Sequence, residues 1–461
     1  VQFDFDENNL EINELHRFKN IPINIDGLIC WNIQDIYKNI ILGINKSTKL
    51  YGNNISTIGL DSWAVDFVLL DENDDYLFLP RHYRNKRNIN AMETVTELLG
   101  KDYIYNQTGI QFMPINTLYQ LYAEKSCKKS NIQNAKTLLF IPDLLNFWLT
   151  GIKTTELTNA STSQFYNPIK KQWALDIFEK LEMPVSMLPP ISKPGTILGS
   201  LNKQSKKTLN LSQTKIALTA THDTASAVAA IPNTKQYMSA FISSGTWSLI
   251  GIQTDKPIIN KESLNFGFTN EIGFNGNIRF LKNVTGMWLI QECLEAWRSE
   301  GLDYSIEELI DSAMEARKYR SVIDPDHHTF QTHGNMPGRI RRYLNLTGQE
   351  LPNSVPELIR IVLKSIALKY KSVIDNLSDI SGSPIKNIRI VGGGANNKLL
   401  NQMSADITGL VVEAGPIEAT AAGNILGQLI SIEILPSLAA GHKIIERSFS
   451  SNINFCFKYI S

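Results

Sequence analysis

Apolar and polar positions alternate through Val1-Gln2-Phe3-Asp4-Phe5 and again through 10–18, with the polar triplet Glu7-Asn8-Asn9 between them. A two-residue period on both sides of a turn predicts an antiparallel hairpin. From 33 to 44 the period becomes helical, with Ile33, Ile36, Ile40 and Ile44 on one face. Apolar, β-branched runs at 55–60, 65–70 and 76–79, the last two separated by the acidic turn 71–75, predict strands. Positions 118–125 and 144–150 predict helices. A short strand at 216–219 ends at Thr221-His222-Asp223, and a small-residue helix follows over 224–230. After a break at 231–235 a second series starts: a strand at 238–243, the turn Ser244-Gly245-Thr246, and a strand at 247–252. Helices are predicted over 287–298, 306–318 and 356–380. Ile388, Ile390 and Val391 form a strand closed by Gly392-Gly393-Gly394, after which Leu399, Leu400, Met403 and Ile407 recur at helical spacing. Ala414-Gly415-Pro416 leads into a last helix over 419–430. Strands alternating with helices predict an α/β protein of two domains, 1–235 and 236–461.

Length and composition agree. A chain of 461 residues exceeds one ordinary core, and 43% apolar residues suffice for two. Lys plus Arg and Asp plus Glu both number 45, so no nucleic acid and no anionic membrane is expected as partner, although a local basic cleft for phosphates is compatible. Cys30, Cys127, Cys293 and Cys456 form no CxxC pair, which suggests neither a zinc site nor a disulfide framework. The lack of an eighteen-residue apolar run or a charged-then-apolar leader predicts a soluble, cytoplasmic protein. Oligomeric state is not encoded in any visible pattern.

Three segments carry candidate chemistry. Asp223 stands where a strand ends and a helix begins, the edge at which open α/β sheets bind ligands; helix capping is the alternative reading. Ser243-Ser244-Gly245-Thr246-Trp247-Ser248 is a strand–turn–strand whose hydroxyls and backbone N–H groups suit phosphate oxygens, or an ordinary hairpin. Gly392-Gly393-Gly394 lies between strand and helix, where a nucleotide can approach the backbone. Glu413 follows about twenty positions later, but the glycines are not spaced as GxGxxG, and no P-loop motif occurs. His327, His328 and His333 beside Asp324 and Asp326 match no common zinc spacing, so no metal ligands are assigned. Arg339, Arg341 and Arg342 read as a solvated face.

Together these segments resemble the FGGY carbohydrate kinases, and within them the branch acting on L-rhamnulose. The resemblance runs in order through 10–18 (LEINELHRF), 58–70 (IGLDSWAVDFVLL), 108–121 (TGIQFMPINTLYQL), 141–151 (IPDLLNFWLTG) and 158–164 (TNASTSQ). It continues through 221–227 (THDTASA), 242–249 (ISSGTWSL), 281–291 (LKNVTGMWLIQ) and 391–422 (VGGGANNKLLNQMSADITGLVVEAGPIEATAA). It implies two RNase-H-like domains of the actin/hexokinase-like ATPase fold flanking an interdomain cleft, with the sugar on the first domain and the nucleotide on the second. It implies transfer of the γ-phosphoryl group of ATP, with Mg2+, to O1 of a small-molecule ketose. Asp223 would be the base; Ala64, His222, Thr224 and Asn283 would meet the sugar; Thr246, Gln291 and Gly393 would meet the nucleotide.

There are three departures. Family members begin with a strand and a DxG-type phosphate loop just ahead of the strand that 1–5 resembles. Either this chain is a piece of a longer protein or the protein is impaired; Val1 in place of Met favours the first. The family's Gly in its IDTWG segment is Ala64, and its Tyr-Arg-Asp triplet reads Tyr83-Arg84-Asn85. Both changes leave open another deoxyketose such as L-fuculose, and the missing loop leaves open a non-catalytic sugar- or nucleotide-binding protein.

Overall fold

The computed structural model describes residues 1–5, 10–127, 131–232, 238–448 and 455–458. Two compact units are formed, one from Val1–Pro232, Thr254–Phe280 and Thr420–Ser448, the other from Asn233–Gln253, Leu281–Ala419 and Phe449–Ser461. Two segments from the second half of the chain thus belong to the first unit.

In the first unit Gln2–Phe5 pairs antiparallel with Leu10–Asn13, the hairpin that the alternation predicts, but 14–18 forms no strand; the turn at 7–9 lies outside the described residues, as does 233–235 of the break. The helix expected at 33–44 runs on as Ile33–Tyr51, because Asn32 caps its start and Gly52, at φ 77°, is the first residue to leave the helix. Ile33 and Ile36 pack with Val68, Leu70, Leu139 and Leu144 in one core cluster. The run 76–79 forms no strand. The Asp71 carboxylate accepts the N–H groups of Asn73 and Asp75, and this tight turn returns the chain for one bridge only, Tyr76 to Leu70.

The sheet that matters for the site is short. Lys215–Leu218 lies between Thr57–Gly59, parallel, and Thr196–Ser200, antiparallel. Ile216 is fully buried against Leu149, Leu201, Leu209 and Leu211. Gly59 is required here: a Cβ would stand 2.6 Å from Asn424 Oδ1 and 2.7 Å from Thr219 Cγ2.

In the second unit Met238–Ser244 and Trp247–Thr254 form the expected hairpin. Met238–Ser244 also pairs in parallel with Ile385–Val391, which pairs in parallel with Val411–Ala414. The 27-residue helix Val355–Ser381 starts at a Ser354/Glu357 capping box and leaves through Gly382 in the left-handed region. Glu413 pairs with Arg389 on the adjacent strand at 3.1 Å, so it is occupied by a cross-strand contact rather than offered to a ribose.

Candidate active site

The strand Lys215–Leu218 does not end abruptly. Ser62 N–H donates to Thr221 O and Asp223 N–H to Ser62 O, both at 2.9 Å, so the parallel pairing carries on to the first residue of helix Asp223–Ala229. Asp223 Oδ1 accepts the Thr224 N–H at 2.6 Å and the Thr224 hydroxyl at 3.3 Å. Those contacts are to the adjacent residue, and the capping position belongs to His222. Capping by the usual reach to the second or third N–H is therefore not what Asp223 does. Its side chain stays 45% exposed, and Oδ2 meets no partner among the described residues. Desolvation pushes the carboxyl up to about 6, held back by Thr224 and by the Arg279 cation. The sequence suggests an ordinary carboxylate near 3.9; the structure makes it a stronger base that is still ionised at neutral pH.

His222 and Thr224 flank Asp223 as the sequence implies, but His222 is buried and engaged. Arg279 Nη2 lies 3.1 Å from His222 Nδ1 and 3.0 Å from Glu271 Oε2. Burial, reinforced by Arg279, keeps the imidazole well below its ordinary range and hence neutral. Arg279 has no exposed surface. Sequence reasoning missed both Arg279 and Glu271, which fall beyond 235. The legible signal for Arg279 was a lone charge inside the apolar run Ile278-Arg279-Phe280-Leu281, whereas Glu271 follows Thr269 and Asn270 and carried none.

Two more missed carboxylates underlie the corner. Glu156, fully buried, accepts the N–H of Thr158 at 2.8 Å, the Thr158 hydroxyl, and the N–H and hydroxyl of Thr221 at 2.9 Å each. It locks the residue two positions before Asp223. Asp61 accepts from Asn424 Nδ2, and burial, with Asp223 nearby adding repulsion, lifts its carboxyl to about 7.

Ala64 begins a three-residue turn: Asp66 N–H donates to Ala64 O at 2.9 Å across Val65, whose φ is +69°. A β-branched residue in that region is strained, and such γ-turns are rare. Thr117 Oγ1 at 2.8 Å and Gln120 Nε2 at 3.3 Å hold the Val65 carbonyl in place. Asp66, buried just behind, accepts from the indoles of Trp31 and Trp63 and from Gln120 Nε2. Trp31 packs on Trp63 and stacks on His82 at centroid distances of 4.4 and 4.3 Å. Val65→Gly is expected to leave stability within about 1 kcal/mol, because relief of roughly 1–3 kcal/mol of strain offsets the lost side chain and the looser unfolded chain. Thermal unfolding checks this; a Tm falling by about 10 °C would show that Val65 carries no strain.

Asn85 is occupied elsewhere. Its Oδ1 accepts Ile29 N–H at 3.0 Å, and its Nδ2 donates to Ile29 O at 2.7 Å and His82 O at 2.8 Å. The exchange of Asp for Asn at this position serves that backbone pairing, since a carboxylate could not donate to Ile29 O. One of the two grounds for expecting a different sugar is thereby weakened.

The nucleotide candidates belong to the second unit. Thr246 Oγ1 donates to Gln291 Oε1 at 3.2 Å, and the N–H groups of Gly286 and Met287 donate to Thr246 O and Gly245 O at 3.2 and 3.0 Å. This seats the Ser244–Thr246 turn on the start of helix Trp288–Ser299. Gly394 presses on Ser244, where a Cβ would stand 2.0 Å from Oγ, whereas a Cβ on exposed Gly393 would meet nothing within 4 Å. The main chain at Gly393 is thus accessible to a ligand. Asn283 lies half-buried on strand Ile278–Thr285, in the second unit.

The remaining clusters resolve into structural contacts. Lys369 bridges Asp324 and Asp326 at 3.0 and 2.9 Å, and His333 meets Glu292 at 3.1 Å. Among the described residues no group of three or more His, Cys, Asp or Glu is gathered to hold a metal ion. Arg339 donates to the carbonyls of Thr329, Thr332 and His333, and Arg341 to that of Pro352; of that run only Arg342 is fully on the surface. No helix among the described residues is long and apolar enough to cross a membrane.

Comparison with known proteins places these features. Residues 5–230 match the N-terminal domain, and 240–432 the C-terminal domain, of the FGGY family of carbohydrate kinases. A rhamnulokinase of Oceanobacillus iheyensis is 40% identical over 442 residues, 95% of this chain and 92% of that protein. One from Bacillus subtilis is 38% identical over 446 residues, 97% and 90%. The fold is that of the xylulose kinase of Lactobacillus acidophilus, at a TM-score of 0.77, 17% identity and coverage of 96% and 88%. It is equally that of the Plasmodium falciparum glycerol kinase solved with ADP, at 0.77, 17% identity, 99% and 91%. With both domains matched and relatives alike over nearly their whole length, the chain belongs to the FGGY family of carbohydrate kinases and has its two-domain, actin/hexokinase-like fold.

Proposed function

We propose that this chain is an ATP-dependent kinase transferring the γ-phosphoryl group to O1 of L-rhamnulose, giving L-rhamnulose 1-phosphate in rhamnose catabolism. The observation that carries the reaction is the Asp223 carboxylate, with one oxygen held by Thr224 and the other without a partner among the described residues. The choice of sugar rests on the curated relatives named rhamnulokinase.

In phosphoryl transfer the protein's task is to hold the acceptor hydroxyl in line, take its proton and offset charge on the transferring group. Asp223 is the base, with His222, Thr224, Ala64 and Asn283 toward the ketose. The strained turn supports the assignment of Ala64, since nothing in the described residues accepts its N–H. Thr246, Gln291 and Gly393 meet the nucleotide, the open backbone at Gly393 receiving it. On this reading 1–235 carries the sugar and 236–461 the nucleotide, with Glu271, Arg279, Asn283 and Asn424 serving the sugar side from later in the chain. ATP would bring Mg2+, which would offset the charge on its phosphates. We place the protein in the cytoplasm, where ATP is supplied and where the buried thiols Cys30 and Cys293 stay reduced.

Assay of phosphoryl transfer from ATP to a panel of ketoses tests the reading. The highest kcat/KM is expected for L-rhamnulose. A preference for L-fuculose would reject the sugar, and binding of sugar and ATP without turnover would support the non-catalytic alternative. Because protonated Asp223 cannot accept a proton, kcat/KM is expected to be lost as pH falls through about 6, the value to which its carboxyl is raised. A profile flat down to pH 4.5 would contradict that base.

A further inference from the structure

We infer that Arg279 is a positioning residue for the transfer: it holds His222 in the Nε2–H tautomer, and so keeps a donor rather than a lone pair beside the Asp223 oxygen that Thr224 holds. The inference rests on Asp223 being the base and goes beyond it.

A guanidinium has donors and no acceptor. With Arg279 Nη2 3.1 Å from His222 Nδ1, that nitrogen must present its lone pair, and the ring proton resides on Nε2. Nε2 lies 3.5 Å from Asp223 Oδ1, so the ring proton stands beside that carboxylate oxygen. The Thr224 N–H and hydroxyl are on the same oxygen. The two Thr224 donors on Oδ1, with the Nε2–H 3.5 Å from the same oxygen as an electrostatic contact, leave Oδ2 as the more basic oxygen. As O1 bonds to the γ-phosphorus and the β-phosphate oxygen departs, the O1–H proton passes to Oδ2.

The alternative tautomer is close at hand. Glu271 Oε2 is 3.5 Å from His222 Nδ1. Without the cation, Nδ1 would gain a proton to donate to Glu271, and the Nε2 lone pair would then face the Asp223 carboxylate and repel it. Glu271 cannot pull Nδ1 into the donor role while Arg279 occupies both, at 3.0 and 3.1 Å. The arrangement needs Arg279 buried and fixed. It has no exposed surface, and its Nε donates to Ile272 O at 3.3 Å. The charged groups facing this cluster are Asp223, Glu271 and, acting on Arg279, Glu156.

The test is nitrogen-15 NMR of histidine-labelled full-length protein, with the His222 resonances assigned by their loss in H222Q. In the unsubstituted protein His222 is expected to be neutral and Nε2–H at pH 7. An Nδ1–H tautomer or an imidazolium there would overturn the inference with no substitution involved. Arg279→Met is expected to lose the Nε2–H signature and to lower kcat by about 10- to 100-fold, with KM for the ketose changed less than about threefold. Arg279→Lys, which retains a donor, is expected to keep the tautomer and recover most of kcat. If R279M does not fold, R279M/E271L removes both charges together and leaves no side-chain donor at either position. An unchanged tautomer and unchanged kcat in either variant would overturn the inference. Absence of ketose turnover in the unsubstituted protein would instead sink the proposed function, and the tautomer would still report on Arg279.

Discussion

Asp223→Asn is expected to lower kcat by about 10²- to 10⁴-fold, the range over which a positioned general base contributes, while the ketose still binds with nearly the same affinity. The amide can keep its oxygen toward the Thr224 N–H, where Oδ1 now sits at 2.6 Å, so the corner and the sugar's surroundings persist. What changes is the oxygen that has no partner, which becomes an NH2 group that donates and cannot receive a proton. Steady-state kinetics with calorimetric measurement of ketose binding separates the two effects. Turnover like that of the unsubstituted protein would remove Asp223 from the mechanism, and loss of binding together with kcat would make it a structural residue.

Gly423→Ala is expected to be the most damaging single methyl group in the first unit. A Cβ there would stand 1.8 Å from Ser226 O and 2.6 Å from Ser226 C. Both are backbone atoms of the helix that begins at Asp223, so no side-chain rotation can yield. Helix Ala419–Ser431 would have to move away from Asp223–Ala229, costing about 1–3 kcal/mol or more and displacing the base. Thermal unfolding should show a drop of several degrees, with kcat falling even at temperatures where the variant is folded. Gly393→Ala is the matched control for stability, since its Cβ would meet nothing within 4 Å. Equal melting temperatures for the two variants would show that the helices are not in backbone contact.

Much of the architecture is legible because it depends on near neighbours. The alternation at 1–5 and 10–13, the helix beginning at Ile33, and the strand–turn–helix at Lys215–Ala229 are each read from residues a few positions apart. Local chemistry also decides where such elements stop, as at Gly52 and Gly382. Position 76–79 shows the limit of this reasoning. The residues have the pattern of a strand, but a strand requires a partner, and the Asp71 turn provides only one bridge.

The candidate site divides along the same line. Asp223, His222 and Thr224 are visible because three adjacent residues carry them, and the glycine-rich turn at 392–394 for the same reason. The engagement of Asn85 is hidden from the sequence because its partner, Ile29, is 56 positions away. Glu156, Glu271, Arg279 and Asn424 were missed because each meets a residue of the site 49 to 363 positions distant, which no sequence window displays.

The amino-acid order by itself determined the family, the alternation of strands and helices, and the carboxylate at the corner, since periodicity and short motifs are properties of neighbouring residues. Only the tertiary structure decided that Asp223 is raised to about 6, that one of its oxygens is tied down, and that His222 is neutral beside a buried Arg279. Desolvation and tautomer choice come from groups the folded chain brings together, and they have no counterpart in a sequence window.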